Sequence, residues 1–244
     1  MAYSFNVNKA LQESGYKGQF KDSLKTVLKE INKDPNISTI QEAAYLLATA
    51  EVESGYSLQR WEADYLCSDN AGKNMKGRSY KELPNNSPCT RALDYYRSTN
   101  GKSNYYNKGT DKRGLPYFGR GLIQLTGQAN YETYGKLINV NLVNDADKAL
   151  TPKNSYKIAS TYLNRKRGSA KKSVYDYVRQ GDFATARARV KGSSSGWENV
   201  KKTYDKWLKI LQNNQTSTNL KPILVIGGVA LVTGLIMFLV LRKR

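Results

Sequence analysis

Two carboxylates separated by a glycine are the first residues in this sequence whose types and spacing could do chemistry. Glu53 ends the stretch LLATAEVES (46–54), and Glu62 lies nine residues further on, in RWEADYL. On one helix, Ala43, Leu46, Leu47, Ala50 and Glu53 fall on a common side. A glutamate at the end of such a stripe either caps it at the surface or sits in a cleft floored by apolar groups. In the cleft, desolvation favours the neutral acid, the form a general acid needs. Glu51 points elsewhere on the wheel and reads as a solvated surface group. On an unbroken helix Glu53 and Glu62 would face opposite ways, since nine residues make about two and a half turns. Gly55 breaks that geometry, and a turn through Gly55–Ser57 would return Glu62 across a groove from Glu53. Two carboxyls flanking a bond suit glycoside hydrolysis: a gap of roughly 6.5–9.5 Å admits a water and inverts the sugar, and one near 5 Å retains it. The alternative for Glu62 is a salt bridge to Arg60 or another of the many basic residues.

Composition removes the competing hydrolytic mechanisms. Among 244 residues there is no histidine, so a Ser-His-Asp triad, a Cys-His site and a His-ligated zinc are all excluded. Cys67 and Cys89 are the two cysteines, too few ligands for a metal, and neither metal nor cofactor is expected. The pair could close a disulfide in an oxidising compartment, or stand as two reduced thiols. The 39 Lys+Arg against 20 Asp+Glu give a formal charge of +19. That points to a polyanionic partner, whether nucleic acid, an anionic membrane face or the acidic polymers of a bacterial envelope. No nucleic-acid recognition motif is present, so no specific nucleic acid is expected.

The second chemical stretch is YFGRGLIQLTGQANYETYGKL (117–137). Gly119, Gly121 and Gly127 punctuate an extended run, Leu122–Leu125, in which Gln124 and Thr126 alternate with apolar neighbours and so point the same way. Neutral amide and hydroxyl groups can hold a water or a sugar. A phosphate loop is excluded because the Lys-Ser/Thr ending of that motif is missing. The run from Phe118 through Gly119, Arg120, Gly121, Leu122, Ile123, Gln124, Leu125, Thr126 and Gly127 to Gln128, Ala129, Asn130 and Tyr131 resembles the signature of family 19 glycoside hydrolases, which include plant-type chitinases and many bacteriophage endolysins. The stretch from Leu47 to Gly55 is similar to that family's helix bearing the catalytic glutamate, with Val52 in place of the usual preceding histidine. The resemblance, over roughly residues 20–210, implies Glu53 as general acid and Glu62 as the second carboxylate. It implies Thr126 as a site threonine, and a mainly α, lysozyme-like two-lobed helical domain with a groove between the lobes. Gln124, Arg120, Asn130 and Tyr131 are then candidate substrate-binding residues, Arg120 and Tyr131 being equally readable as fold support.

The elements that must position these groups read as helical. Leu24, Val27, Leu28 and Ile31 have amphipathic spacing. Ser38 with Gln41 suggests a capping box opening a helix that runs to Ser54 and stops at Gly55. Further helices are predicted near 88–98, 128–138, 152–166, 172–192 with a break at Gly181, and 197–211. The segments 68–87 and 99–120 read as long loops. Met1–Lys9 lacks an apolar core, so no signal peptide is expected. Residues 212–221 read as a polar linker joining the 1–211 domain to a transmembrane helix at 222–241, where Ile223–Leu241 carries no charge, followed by a basic tail at 242–244.

These observations lead to one expectation and two alternatives. The expected protein is a membrane-anchored, peptidoglycan-degrading glycosidase whose partners are glycan strands and a lipid membrane. Its setting would be a membrane, including that of a bacteriophage virion. The alternatives are a chitinase and a non-catalytic glycan-binding or structural membrane protein.

Overall fold

The computed structural model describes residues 4–56, 111, 112, 117, 119–169 and 171–216. Glu62, Cys67, Cys89, the helix expected near 88–98 and the apolar run 222–241 lie outside the described residues. Among the described residues no helix is long and apolar enough to cross a membrane.

The order of elements is α1 (Val7–Glu13), α2 (Gly18–Ile31), α3 (Ile40–Ser54), α4 (Gln128–Leu137), a short 3-10 helix (Ala146–Leu150), α5 (Pro152–Asn164), α6 (Val174–Arg179), α7 (Phe183–Lys191) and α8 (Trp197–Asn213). No strand occurs among the described residues, only isolated bridges. The fold is mainly α, as the periodicities predict.

The centre of the molecule is α3. Its sequence IQEAAYLLATAEVES is buried almost all round: Ala43, Ala44, Tyr45, Leu46, Leu47, Ala48 and Ala50 are each fully enclosed. The predicted stripe is therefore only part of a helix that is apolar on every side, as a central helix must be. Small residues at 43, 44, 48 and 50 let neighbours approach closely. α8 packs against α3 most extensively, burying Val200, Tyr204, Trp207 and Leu211.

The start of α3 differs from the sequence expectation by one residue. Thr39, not Ser38, is the N-cap, and its partner at N3 is Glu42, not Gln41. Glu42 is buried and accepts from the backbone N–H of Ser38 (2.7 Å) and Thr39 (3.3 Å), while Arg179 of α6 binds it from the other side. A carboxylate buried this deeply requires that number of donors, which decides the register of the cap. At the far end Gly55 terminates the helix with φ 57°, and Tyr56 follows at φ 59°. A tyrosine at positive φ is unusual; here it is fully buried and donates its hydroxyl to the Leu47 carbonyl at 2.7 Å. The helix thus ends at Gly55 as the sequence predicts; Ser57, the last residue of the expected turn, lies outside the described residues.

The stretch read as a linker from 212 onward is partly folded. α8 continues to Asn213, and Thr216 and Asn6 donate backbone N–H groups to Ser4 and Asn214 at 2.9 and 2.8 Å. The N-terminus supplies the pairing partner; within 212–216 Asn214 is buried and the other four residues are exposed.

Candidate functional site

A cleft of about 550 Å³ opens beside the end of α3. Glu53 contributes from α3; Ile123, Gln124, Leu125, Thr126 and Asn130 come from the turn before α4 and from its first helical turn; Tyr162 comes from α5, and Ala188 to Gly192 from the end of α7. Four of the residues singled out from sequence (Glu53, Gln124, Thr126 and Asn130) thus meet in one hollow.

Gln124 and Thr126 reach it by a different route from the extended run expected. Residues 121–124 form a tight turn closed by the bridge between Arg120 and Leu125, with backbone hydrogen bonds of 3.2 and 2.9 Å. Gln124 sits at φ 51°, a left-handed conformation, and its side-chain amide folds back to donate to the Gly121 carbonyl at 3.0 Å. Gly121 has φ 74°, and a Cβ there would lie 2.9 Å from the Ala149 carbonyl oxygen. Ser155 of α5 accepts from the Leu122 N–H at 2.7 Å and staples the turn down. The glycines serve close packing and positive φ, not strand geometry. A strained backbone held by its surroundings is common where a site is built.

Hydrogen bonding leaves specific atoms facing the hollow. The Thr126 hydroxyl donates to the Gln124 carbonyl at 2.8 Å, so its lone pairs can accept from a water or a sugar hydroxyl. Asn130 donates its amide to the Thr126 carbonyl at 2.7 Å, which orients its carbonyl oxygen as an acceptor.

Arg120 and Tyr131 do not present themselves to a ligand, which corrects their reading as substrate contacts. Both are buried. The Arg120 Nε donates to Asp147 Oδ1 at 2.8 Å and its Nη1 to the Tyr131 hydroxyl at 3.1 Å. Burial pushes the Tyr131 hydroxyl up to about 12. The pair ties the 120–125 turn to α4 and to the 3-10 helix from behind, the support role that was their other reading.

The surroundings of Glu53 match neither a bare surface cap nor a purely apolar floor. Its Oε1 is bound by the guanidinium of Arg187, which projects from α7 and is itself buried. Oε2 accepts no hydrogen bond among the described residues. Arg187 was missed in the sequence. Its signal was its spacing: Phe183, Ala186, Arg187 and Val190 share the i, i+3, i+4, i+7 face of α7, and a charge at a core position needs a partner. Glu51, expected in solvent, accepts instead from the Trp207 indole N–H at 2.7 Å and from Lys206, locking α8 onto α3 just before the site. The described residues hold no metal-ligand cluster.

Comparison with known proteins adds to this geometry. A family profile described as "Chitinase class I", glycoside hydrolase family 19, matches residues 73–201, just over half of the chain. The match includes the Gly-Arg-Gly turn and α4 to α7, and it begins after Glu53 and Glu62. An acidic endochitinase of Petunia hybrida is 41% identical over 69 residues, 28% of this chain; the matched part spans only 27% of that relative's length. Among solved structures, chitinase C from Streptomyces griseus HUT6037 superposes with a TM-score of 0.53 at 16% identity, covering 85% of this chain and 76% of that one. A bacterial family 19 chitinase gives 0.50 at 19% identity over 85% and 94%. At these identities the structural likeness is one of fold.

Proposed function

This chain belongs to glycoside hydrolase family 19 and has its mainly helical, lysozyme-like fold; from that premise we propose that it cleaves the β-1,4 glycan of peptidoglycan, with Glu53 as general acid. The observation that carries the reading is the convergence of Glu53, Thr126, Gln124 and Asn130 on one cleft. In this mechanism Arg187 holds Oε1 of Glu53, and Oε2 delivers its proton to the leaving glycosidic oxygen. Thr126 accepts a hydrogen bond from the attacking water, with Gln124 and Asn130 holding the sugar. Glu62 is assigned as the base that activates the water, on its spacing beyond the Gly55 turn. A carboxylate so positioned contributes about 10²–10⁴-fold as a general acid.

The test is hydrolysis by Glu53→Gln against the parent, on purified peptidoglycan. A loss of at least a hundredfold with an unchanged melting temperature supports the acid role. Equal lysis by both proteins would remove it, and would favour a glycan-binding protein that keeps the fold without the reaction.

Chitin is the second reading, because the matched relatives carry the name chitinase. The charge of +19 favours the anionic wall over a neutral polymer. The apolar run 223–241, uncharged and ending in Arg242-Lys243-Arg244, supports a membrane anchor. Such an anchor would hold the cleft beside a wall, in a bacterial membrane or a membrane-bearing virion. Recovery of the full chain, but not of one ending at Thr216, in a membrane pellet checks that assignment.

A further inference from the structure

One wall of the cleft carries charge that bond cleavage does not use. Between Asn164 and Gly192 the chain has nine lysines and arginines and two aspartates. Arg179 is paired with Glu42 and Asp176, and Arg187 with Glu53. The other seven have no carboxylate partner among the described residues. Asp176 and Asp182, the acidic groups of this segment, are both engaged as helix caps.

Two of the seven, Arg189 and Lys191, line the cleft with Glu53. Arg189 is held in place without being neutralised. Its guanidinium lies against Gly168, where a Cβ would come within 2.8 Å of Nη1, and it sits 5.7 Å from the centre of the Tyr177 ring, donating to that hydroxyl at 3.4 Å. Beside it, Arg167 stacks on the Tyr162 ring at 3.9 Å, and Tyr162 is itself a cleft residue. Guanidinium groups ordered by aromatic rings and a glycine, with no counter-charge, form a preset anion receptor. A neutral N-acetylglucosamine polymer offers such a wall nothing. A glycan whose alternate sugars carry peptides with free carboxylates offers it anions along the strand to be cut.

We propose that Arg189 and Lys191 form a carboxylate-binding subsite that selects acidic, peptide-substituted glycan over neutral glycan. This rests on the cleavage reading only in sharing its cleft. An anionic membrane surface is the rival occupant, and it is disfavoured because Arg189 and Lys191 line the same hollow as Glu53.

The test is a binding measurement, so it does not depend on turnover. Dissociation constants of the full chain are measured at fixed ionic strength for soluble, uncross-linked peptidoglycan strands and for the N-acetylglucosamine hexamer. The ratio of the two affinities is expected to fall tenfold or more in Arg189→Gln/Lys191→Gln. In Lys21→Gln/Lys29→Gln, which removes the same charge from exposed positions on α2, it is expected to hold. An unchanged ratio in the first variant, an equal fall in the second, or loss confined to phosphatidylglycerol vesicles would each overturn the subsite. If the parent binds acidic strands selectively yet cuts nothing, the subsite stands and the cleavage reading fails.

Discussion

At the residue scale the site turns on one ion pair. Glu53 and Arg187 meet from helices 134 positions apart in sequence, one carboxylate oxygen taken by the guanidinium and the other left to the cleft. Arg187 has a second peculiarity: its Nε is buried with no hydrogen-bond partner. An unsatisfied donor of that kind costs roughly 1–3 kcal/mol. Replacing Arg187 with methionine removes the pair and the orphan donor together, so the two effects on stability oppose each other. Activity has no such offset, because the carboxylate loses what fixes its direction. Arg187→Met is expected to lower kcat by about ten- to a hundredfold while the melting temperature moves little, since a small misplacement at the reacting centre is expensive. Arg187→Lys is expected to restore only part of kcat, lacking the planar fork. A change in KM alone, with kcat intact, would assign Arg187 to substrate binding instead.

At the element scale the decisive feature is the 120–125 turn, which carries two site residues on a backbone that only certain side chains allow. Gly121→Ala introduces a Cβ against the backbone oxygen of Ala149 and against Ser155, at a φ of 74°. The left-handed conformation costs an alanine roughly 1–2 kcal/mol, and the contact adds a comparable strain. A drop in denaturation free energy of about 2–4 kcal/mol is expected, measured by urea unfolding, with activity falling further than stability. Thr39→Ala, which deletes the N-cap of α3, is expected to cost about 1 kcal/mol and to leave the cleft intact. These elements show what could be read from sequence and what could not. α4, α5, α7 and α8 follow directly from 3.6-residue periodicity, and the stop at Gly55 from its freedom at positive φ. The cap of α3 was displaced by one residue because two adjacent hydroxyls, Ser38 and Thr39, compete for it. The choice is made by the contact of Glu42 with Arg179, 137 positions away in sequence. Gln124 and Thr126, which alternation in an extended run would point the same way, both line the cleft, but on a turn that long-range packing on Ser155 imposes. Tertiary partners, not local pattern, decide such cases: Glu51 becomes a tether to α8 for the same reason.

At the scale of the whole molecule, charge and tyrosine content set how the protein responds to its solution. If its substrate is the proposed anionic wall glycan, a chain with +19 should lose activity as salt rises, since screening shortens to about 10 Å at 0.1 M and 3 Å at 1 M. The stability profile against pH has a different shape. With no histidine, no side chain has its ordinary pKa between pH 5 and 8, and a plateau is expected there. On the alkaline side the buried tyrosines take over. Burial pushes Tyr131 and Tyr204 up to about 12, and it raises Tyr45, Tyr56 and Tyr156 as well. In the unfolded chain a tyrosine titrates near 10. Between about pH 10 and 12 the unfolded state therefore releases protons that the folded state keeps, and folding free energy falls as pH rises. The stability these hydroxyls contribute is fully present below pH 10. Each is expected to remove roughly 1.4 kcal/mol per pH unit across its window. Urea midpoints at pH 7, 9, 10, 11 and 12 should be level to 9 and then descend, and Tyr204→Phe should descend less steeply than the parent. A parent curve still flat at pH 12 would mean that these rings gain solvent access in the folded protein, and that the packing of α8 against α3, the support of Glu53, is looser than the buried core implies.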